Sequence, residues 1–339
     1  RIMVDGEPIA DAAIADAWDE IAPIVALVDD ELEQKDEPPL TFFELLTVLA
    51  FVSFADAPVD VAVIEVGMGG SWDATNTADG DVAVFAPIDI DHADKLGDTI
   101  GEIATVKAGI IKQGAAAVSA AQTPAAASVL ASAARAQGAS LAVEGEQFGL
   151  LDQKLAVGGQ LFTLRGLAAT YEELYLPLYG AHQGHNAALA ITAVESLIGG
   201  GTQPIAADVL ADGLGNVTSP GRLQLVGIAP TVIVDSAHNP HGARALVAAL
   251  GDSFDFDEWG LVLGAFADKD VAGIVGALAP AVAHVFATAP ESDRAEEPDA
   301  VADLVEQTET PVTVHRDLAE AAEAARAWAA ESERRAVVI

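Results

Sequence analysis

Apolar runs of strand length alternate with helix-length segments along most of this 339-residue chain. The clearest runs are residues 59–66 and 82–88, which are rich in Val, Ile and Ala and contain few polar side chains. Such runs are typical of strands buried on both faces, as in parallel sheets that carry helices on each side. The sequence therefore predicts an α/β fold with a doubly wound, mostly parallel sheet.

The length is that of about two ordinary domains. A turn cluster at residues 218–221 marks the expected boundary. We predict one α/β domain over residues 1–218 and a smaller, Rossmann-like α/β domain over residues 219–339. Residues 148–179 differ from the rest because they contain several short strand-like pieces, which predict an antiparallel edge of the sheet.

The charge balance excludes two classes of partner. The chain has 52 acidic residues against 16 basic ones, a net charge of −36. So negative a surface repels nucleic acids and anionic membranes, and we expect neither as a partner. We interpret the acidic excess itself as a solubility adaptation. The absence of cysteine excludes disulfides, thiolate metal sites and cysteine nucleophiles, and it fits a cytoplasmic protein.

One phosphate-binding motif is missing from the sequence. None of the six lysines follows a glycine, so the chain contains no Gly-Lys-Ser/Thr phosphate loop. The chain also begins at Arg1 and ends in Ala336-Val-Val-Ile339, which has the pattern of an unfinished strand. We therefore expect the chain to be an internal piece of a longer protein.

An acid and a histidine follow the two clearest apolar runs. Glu65 lies at the end of residues 59–66, and His92 closes the segment that follows residues 82–88. Ligands of open parallel sheets bind beyond the carboxyl ends of the strands. Because carboxylate oxygen suits Mg²⁺ and a neutral imidazole can complete its coordination, the sequence predicts a magnesium site at Glu65 and His92. The alternative is an edge carboxylate and a histidine bonded to the backbone.

A single lysine interrupts an apolar stripe at helical spacing. The stripe consists of Ile100, Ile103, Ala104, Lys107, Ile110 and Ile111. A lysine in such a position either extends its ammonium to water or has a dedicated partner. An ammonium cannot ligate a cation, so a functional Lys107 either contacts phosphate or is carbamylated by CO₂. The carbamate would be an anion able to hold a second Mg²⁺.

Two further segments have both a structural and a functional interpretation. The glycines of Gly67-Met-Gly69-Gly70 let the backbone approach a ligand closely, although glycines after a strand often only turn the chain. Thr41 and Glu44, three residues apart, predict a capping box at the start of a helix that ends near residue 54. Capping alone is a sufficient reason for that pair.

Four of the seven histidines fall in two short segments, 182–186 and 238–241. Asp235 ends a predicted strand, and Asn239 can cap a helix whose first residue is Pro240. A helix N-terminus at the carboxyl edge of a sheet attracts anions, whereas the plainer interpretation is capping and packing only. Arg222, one of ten arginines, either reaches a phosphate or pairs with a carboxylate.

Together these segments resemble the folylpolyglutamate synthase/dihydrofolate synthase group of the Mur-ligase-type ATP-dependent amide ligases. The resemblance covers nearly the whole chain and is specific as a combination of ordered elements. These elements are Phe42-Phe-Glu44, Glu65-Val-Gly-Met-Gly-Gly70, Asp73-Ala-Thr-Asn76, Asp91-His92, Lys107-Ala-Gly-Ile-Ile-Lys112, Pro220-Gly-Arg222-Leu223, Asp235-Ser-Ala-His-Asn-Pro-His241 and Asp268-Lys-Asp270.

The resemblance implies a fold and a reaction. It implies a P-loop-type ATPase domain without its N-terminal part over residues 1–218 and a glutamate-ligase domain over residues 219–339. ATP would phosphorylate the carboxylate of dihydropteroate or a reduced folate, and L-glutamate would attack the acyl phosphate to form an amide. The implied partners are these small molecules, and the implied assembly is a monomer.

The resemblance also implies roles for individual residues. The implied ligands of two Mg²⁺ ions are Glu65, His92 and a carbamylated Lys107. The implied ATP contacts are Asn186, Arg222, Asp235 and His238, and the implied catalytic residues are Lys107, His238 and Asp73. The implied pterin pocket consists of Thr41, Phe42, Phe43, Glu44, Gly67, Met68, Gly69, Gly70, Ser71 and Trp72.

Three departures from the family pattern qualify these expectations. Without the P-loop, this chain should bind ATP poorly and be inactive alone. Ser71 and Trp72 stand where the family often has Arg and Leu, and Val106 replaces a common glutamate before Lys107. Two alternatives therefore stay open: another Mur-type ligase acting on a cell-wall precursor, and a non-catalytic relic of the fold that binds a ligand or partner.

Overall fold

The computed structural model describes residues 2–91 and 93–339, so the predicted metal ligand His92 lies outside the described residues. The chain divides into two compact units. The first contains the residues up to 83 together with 93–115 and 123–140, and the second contains residues 84–91, 116–122 and 141–339. The predicted domain boundary after residue 218 stays a prediction.

The first unit is mainly helical. It starts with a short antiparallel hairpin of β1 (Met3–Val4) and β2 (Glu7–Pro8). Its helices are α1 (Asp11–Gln34), α2 (Phe42–Asp56), α3 (Ala93–Leu96), α4 (Ile100–Lys107) and α5 (Pro124–Gln137). Thr41, Thr99 and Thr123 cap α2, α4 and α5 by accepting a backbone N–H in the first turn, which is why these helices begin where they do.

Two three-stranded sheets follow in chain order. The first has the strand order β3-β4-β5 and consists of β3 (Val82–Phe85), β4 (Ala116–Ser119) and β5 (Ser140–Val143). The second is antiparallel and consists of β6 (Gly149–Ala156), β7 (Gly159–Arg165) and β8 (Thr170–Leu176). The predicted antiparallel strands are confirmed, but they form a sheet of their own and not the edge of a parallel sheet.

Helix α6 (Ala181–Gly199) is anchored to the antiparallel sheet by a fully buried carboxylate. Glu195 accepts hydrogen bonds from the backbone N–H of Leu167 (2.6 Å) and Ala168 (3.2 Å) and from the hydroxyl of Tyr171 (2.7 Å). Burial raises the pKa of Tyr171. The hydrogen bond from the Ile205 N–H lowers this pKa, and the nearby Glu195 raises it further. A buried carboxylate needs such donors, so the contact fixes α6 in the second unit.

A six-stranded sheet follows helix α7 (Ala207–Gly215). Its strand order is β13-β12-β11-β14-β10-β9, and every neighbouring pair is parallel except the antiparallel pair of β9 and β10. The elements are β9 (Gln224–Ile228), β10 (Thr231–Val234), α8 (Pro240–Ser253), β11 (Glu258–Leu263), α9 (Val271–Leu278), β12 (His284–Ala287), α10 (Pro298–Glu306), β13 (Val312–Val314), α11 (Leu318–Ala330) and β14 (Arg335–Val338).

Both faces of this sheet are covered, which confirms the doubly wound prediction. Ile233 packs into a core formed with α8, α9 and α10, whereas its neighbour Val232 packs into the core formed with α11. Successive residues of a strand point to opposite faces, so a strand that is covered twice must be apolar throughout. This requirement explains the continuous apolar runs in the second half of the chain.

The predicted strand at residues 59–66 is wrong. These residues form neither helix nor strand and belong to no sheet in the part of the chain that the structure describes. Val63 is 92% exposed, and Val61 is 58% exposed. Strand hydrogen bonds need a neighbouring strand, and none of the described strands pairs with this run. The run is apolar, as the sequence shows, but it does not pair with a described strand as predicted.

Other elements differ from the predictions at their ends. Strand β3 ends at Phe85, before the predicted end at residue 88. The sequence predicts a helix over residues 186–198, whereas α6 begins five residues earlier, at Ala181, and so includes the histidine segment 182–186. Within residues 2–91 and 93–339, no helix has the length and apolarity that a membrane crossing requires.

Candidate ligand sites at the glycine loop and at the strand ends

The glycine loop packs directly against the end of α4. A Cβ added at Gly70 would lie 2.7 Å from the carbonyl oxygen of Val106 and 2.8 Å from that of Lys107. The N–H of Ser71 donates to the Val106 carbonyl at 2.9 Å, and a Cβ at Gly109 would overlap Ser71. Only glycine allows so close an approach at both positions. The fold therefore brings the glycine loop and Lys107 together in the first unit.

Asp73 fixes the shape of this loop. Its carboxylate is 7% exposed and accepts the Met68 N–H at 2.8 Å and the N–H and hydroxyl of Thr75 at 3.0 and 2.5 Å. Burial alone would raise the pKa of Asp73, but the hydrogen bonds from Thr75, Met68 and Gly67 outweigh it and hold the pKa below its usual value. This is a structural role, and the catalytic role implied for Asp73 stays a prediction.

Asn76 joins the two sides of the contact. Its Nδ2 donates to the carbonyl oxygens of Ser71 and Gly109, both at 3.2 Å, and its own carbonyl accepts the Lys112 ammonium at 2.7 Å. The Asn76 Oδ1 is buried and has no hydrogen-bond partner among the described residues. No role was predicted for Asn76 or Lys112 from the sequence. Both are the last residues of motifs that carry the family resemblance, Asp73–Asn76 and Lys107–Lys112.

Two aromatic rings cover the glycine loop. A Cβ at Gly67 would overlap the ring of Phe43, so this ring lies directly on the loop. Gly69 has a positive φ of 76°, and a Cβ there would lie 3.0 Å from the ring of Trp72. Trp72 is 55% exposed and Phe42 is 79% exposed. The structure thus brings together Phe43 and the glycine loop, which the sequence analysis assigned to one pocket.

The capping box at Thr41 is confirmed. The Thr41 hydroxyl accepts the Glu44 N–H at 3.3 Å, and the Glu44 carboxylate accepts the Thr41 N–H at 2.7 Å. The hydrogen bond from the Thr41 hydroxyl, followed by the one from its backbone, lowers the pKa of Glu44. This structural role accounts for both polar side chains, and their part in a pterin pocket stays a prediction.

The predicted metal ligands stay predictions, and one of them, His92, lies outside the described residues. Ile103 and Ala104 are fully buried, Ile111 is nearly so, and the half-buried Lys107 shares their stripe, as predicted. The Lys107 ammonium makes no hydrogen bond or ion pair with any residue that the structure describes, and Glu65 is exposed. Across residues 2–91 and 93–339, no three carboxylate or imidazole groups cluster as a metal site would require.

The donor chemistry gives a test of the metal assignment. The Glu65 carboxylate is a ligand that Mg²⁺ accepts. The Lys107 ammonium is not, because it offers no lone pair to a cation. The residues therefore fit a magnesium site only if Lys107 carries a carbamate.

A second arrangement lies beyond strand β10 in the second unit. Asp235 follows this strand, and its carboxylate accepts the N–H of Leu223 and of Ala237, each at 2.9 Å. Leu223 has a positive φ of 47°, an uncommon conformation for a residue with a branched side chain. The carboxylate therefore holds the segment that carries Arg222 against the end of β10.

His182 lies within the electrostatic reach of this arrangement. Part of the His182 ring is exposed, but the burial of the rest lowers the pKa of His182. The negative charge of Asp235 raises this pKa, whereas the positive charge of Arg222 and, to a smaller extent, His185 lower it. The Arg222 guanidinium is exposed and pairs with no carboxylate in the described part of the chain. The structure thus brings together Arg222, Asp235 and His182; the sequence analysis assigned the first two to ATP but gave His182 no role.

Asn186 lies in the first turns of α6. It is exposed, and its amide donates to Gln183 Oε1 at 3.1 Å. The neighbouring His185 pairs with Glu144 at 2.5 Å, and this nearly buried carboxylate also accepts the Ala121 N–H at 3.3 Å. Glu144 was not predicted as a site residue. It follows a strand directly, which is the same pattern that led to the prediction for Glu65.

His238 and Asn239 begin helix α8. His238 is exposed, and its Nδ1 lies 3.0 Å from the Ser236 carbonyl oxygen. A carbonyl accepts only, so Nδ1 carries the proton and Nε2 is the acceptor of the neutral ring. The predicted cap is confirmed, because Asn239 Oδ1 accepts the Gly242 N–H at 2.8 Å. The roles implied for His238 stay predictions.

Comparisons with known proteins match two successive regions of the chain to family models. Residues 12–194 match the model of the Mur ligase middle domain. Residues 221–339 match that of the Mur ligase, glutamate ligase domain. The two matched regions leave only a short segment between them and include both arrangements described above.

Individual relatives carry more specific names. The dihydrofolate synthase/folylpolyglutamate synthase of Mycobacterium tuberculosis is 46% identical over 312 residues, which are 89% of this chain and 64% of that protein. This chain therefore spans less than two thirds of that relative's length. The M. tuberculosis folylpolyglutamate synthase solved with ADP has a TM-score of 0.93 at 42% identity, over 99% of this chain and 77% of that one. Escherichia coli FolC, solved with DHPP and ADP, has a TM-score of 0.84 at 28% identity, over 99% of this chain and 74% of that one.

Proposed function

This chain belongs to the Mur ligase family, and within it to the folylpolyglutamate synthase/dihydrofolate synthase group, and from this premise we propose that the complete protein is an ATP-dependent glutamate ligase. Its acceptors are dihydropteroate, a reduced folate or both. The observation that carries the proposal is the likeness, over almost the whole chain, to a folylpolyglutamate synthase that was solved with ADP.

The proposed reaction has three steps. The γ-phosphoryl group of ATP passes to the carboxylate of the pterin-bearing acid, giving an acyl phosphate and ADP. The amine of L-glutamate attacks the acyl carbon and loses a proton. The tetrahedral intermediate then expels phosphate and leaves the amide. The glutamate amine therefore has to meet an acyl carbon whose leaving group is stabilised as its charge develops.

The glycine loop supports a role in holding the pterin-bearing acid. The exposed Trp72 lies beside Gly69 in this loop and offers an aromatic face on which a flat ring can stack. Phe43 lies on the loop, and the hydrogen bond from the Met68 N–H to Asp73 fixes the conformation of the loop. A preorganised loop of this kind loses little conformational entropy when the ligand binds.

The strand-end residues support a role in holding ATP. Arg222 has a guanidinium without a carboxylate partner among the described residues, which suits bidentate contact with a phosphate. Asp235 fixes the segment that carries Arg222, and Asn186 presents an amide from the start of α6. The acceptor Nε2 of His238 is available for a hydrogen bond from a ligand or from bound water.

The proposed metal ligands are Glu65, His92 and a carbamylated Lys107. When bound, two Mg²⁺ ions would offset the negative charge of the γ-phosphate and the acyl phosphate. The close contact between the glycine loop and the end of α4 supports Glu65 and Lys107 as members of one site, since Glu65 directly precedes that loop. We place the carbamate on Lys107 because its ammonium has no described partner.

The test is an assay of the complete gene product. ADP formation that depends on both glutamate and a pterin acid is expected, and dihydropteroate and a reduced folate are assayed side by side. Absence of glutamate-dependent turnover with either acid would contradict the proposal, and turnover with a cell-wall precursor instead would identify another Mur-type ligase.

Variants test the metal assignment within the same assay. Glu65→Gln should lower turnover at least ~100-fold because a neutral amide holds Mg²⁺ poorly. Glu172→Gln on the exposed face of β8 is the matched control and should leave turnover unchanged. Lys107→Ala should be inactive and partly rescued by short carboxylic acids. Near-normal turnover of Glu65→Gln would remove Glu65 from the metal site, and a lack of rescue would count against the carbamate.

A further inference from the structure

Two side chains at the start of α8 contact the segment that follows β3. The Nδ2 of Asn239 donates to Asp91 Oδ2 at 3.3 Å, across 148 residues of sequence. The Nδ1 of His241 lies 2.9 Å from Asp89 Oδ2. All four residues belong to the second unit. Two side chains of one helical turn thus contact two carboxylates that are two residues apart.

We propose that Asn239 and His241 are positioning residues of the ligase. They hold the segment 86–91, which follows β3, against the first turn of α8. This inference rests on the proposed function, in which His92 is a metal ligand. The observations behind it are the contacts of Asn239 with Asp91 and of His241 with Asp89.

The donor on Asn239 is oriented by the helix that it caps. Its Oδ1 accepts the Gly242 N–H at 2.8 Å, so the rotation of the amide is fixed and Nδ2 points away from the helix. Pro240, the first residue of α8, fixes the backbone at the next position. A donor that is already fixed restrains its acceptor more tightly than a mobile side chain does.

The same segment is also held by a glutamine that follows β4. The Oε1 of Gln122 accepts the Ile88 N–H at 2.9 Å, and its Nε2 donates to the Ala86 carbonyl at 2.9 Å. Asp89 Oδ1 accepts the Ile90 N–H at 2.8 Å, which leaves Oδ2 for His241. The segment is therefore held twice, by Gln122 after β4 and by the first turn of α8.

The expected effect is on the chemical step. A displacement of about 1 Å at a catalytic group can lower the rate ~100-fold. Loss of one restraint among several should do less, and we expect a fall in kcat of about 10-fold. The KM for the pterin acid should hardly change, since the residues assigned to that acid lie elsewhere. The Mg²⁺ concentration for half-maximal rate should rise.

The main variant separates the restraint from the cap. Asn239→Ser keeps a good N-cap oxygen but removes the donor to Asp91. Its matched control is Asp317→Ser, the same kind of exchange at the cap of α11, where Asp317 Oδ1 accepts the Glu320 N–H at 2.9 Å. We expect the drop in kcat and the shift in Mg²⁺ dependence for Asn239→Ser only.

A double-mutant cycle tests the second contact. Asp89→Ala and His241→Ala should each lower kcat, and the double variant should be no worse than either single one. The ion pair of Arg316 and Asp299, at 2.8 Å and well exposed, serves as the control cycle. His241→Gln, which keeps a hydrogen-bond donor, should recover part of the lost rate. Additive losses at Asp89 and His241 would overturn their part of the proposal.

Hydrogen exchange gives a reading that needs no activity. In Asn239→Ser, the amides of residues 88–91 should exchange faster than in the wild type, whereas Asp317→Ser should leave them unchanged. Unchanged exchange, or faster exchange with an unchanged kcat, would overturn the positioning role. If the wild type ligates no glutamate but the exchange effect is present, the proposed function fails while the restraint by Asn239 is supported.

Discussion

Residues 59–66 and strand β10 have similar sequences and different structures. Both are runs of β-branched and small apolar residues, and each contains or precedes an acid, Glu65 in one and Asp235 in the other. Strand β10 pairs with β9 on one side and with β14 on the other, and Ile233 at its centre is fully buried. Residues 59–66 pair with none of the described strands, and Val63 is 92% exposed.

The difference shows that an apolar run specifies a strand only when neighbours supply hydrogen bonds and cover. Backbone N–H and C=O groups of a strand need partners on both sides, and apolar side chains need helices above and below. It also affects the acids. Asp235 is held by two backbone N–H groups, whereas Glu65 is exposed. The same motif therefore gives an ordered carboxylate in one region and an unrestrained one in the other.

The largest expected effect contrasts the two runs directly. Ile233→Ala should destabilise the second unit by about 2–5 kcal/mol, because it leaves a cavity in a packed core. Val63→Ala in the same chain should change stability by no more than about 0.5 kcal/mol. Hydrogen exchange of the β10 and β14 amides, together with urea unfolding, measures both. Comparable losses for the two variants would break the comparison.

A smaller effect is expected where the exposed run leads into the glycine loop. Asp73→Ala should cost about 1–3 kcal/mol locally, since it leaves buried donors on Met68 and Thr75 unpaired. The pKa of Asp73 lies below its ordinary 3.8, so its stabilisation is present above that pH and is lost as the pH falls through the lowered value.

Hydrogen exchange of residues 67–77, followed from about pH 6 to about pH 3, measures this loss of stability once the rates are corrected for intrinsic exchange. Asp73→Asn should abolish the acid-dependent part of the opening and leave the rest of the unit unchanged. An acid response as large in Asp73→Asn as in the wild type would assign it to another of the many carboxylates.

The loss of a helix cap should cost about the same stability in either unit, because a cap acts within one helical turn. Thr41→Ala at α2 and Asp317→Ala at α11 should each cost about 1 kcal/mol. Exchange in the first turn of each helix measures the two losses separately. A much larger loss at Thr41 would mean that this cap also supports tertiary contacts of the first unit.

The smallest effect is electrostatic and sharpens the description of the ordered region. Arg222→Ala should raise the pKa of His182, because a nearby positive charge is removed, and Asp235→Asn should lower it. Burial should keep the pKa below 6.5 in the wild type. An NMR titration of the His182 ring measures all three; an unchanged midpoint in both variants would place the two charges outside its reach.

Local patterns predicted much of the molecule. The strands of the six-stranded sheet, the antiparallel region and the caps at Thr41 and Asn239 follow from hydrophobic period, turn residues and cap spacing. The early start of α6 at Ala181 was not predicted because Gly180 offers no capping side chain, and the anchor of this helix at Glu195 was not predicted either. That anchor joins residues far apart in sequence, and no local pattern contains it.

The candidate sites were predicted less completely than the fold. Phe43 and the glycine loop, and Arg222 with Asp235, were grouped correctly through their motifs. Glu144, Asn76 and His182 were not given roles, because their partners come from other elements. The metal assignment of Glu65, His92 and Lys107 stays a prediction.

The sequence by itself determined which segments are apolar, which residues cap α2 and α8, that cysteine chemistry is impossible and which family motifs are present. Only the tertiary structure decided that β10 is a paired strand and residues 59–66 are not, and that Asn239 reaches Asp91. The physical reason is that period and capping act over a few residues. Strand pairing, burial and side-chain restraints instead depend on which distant segments the fold brings alongside.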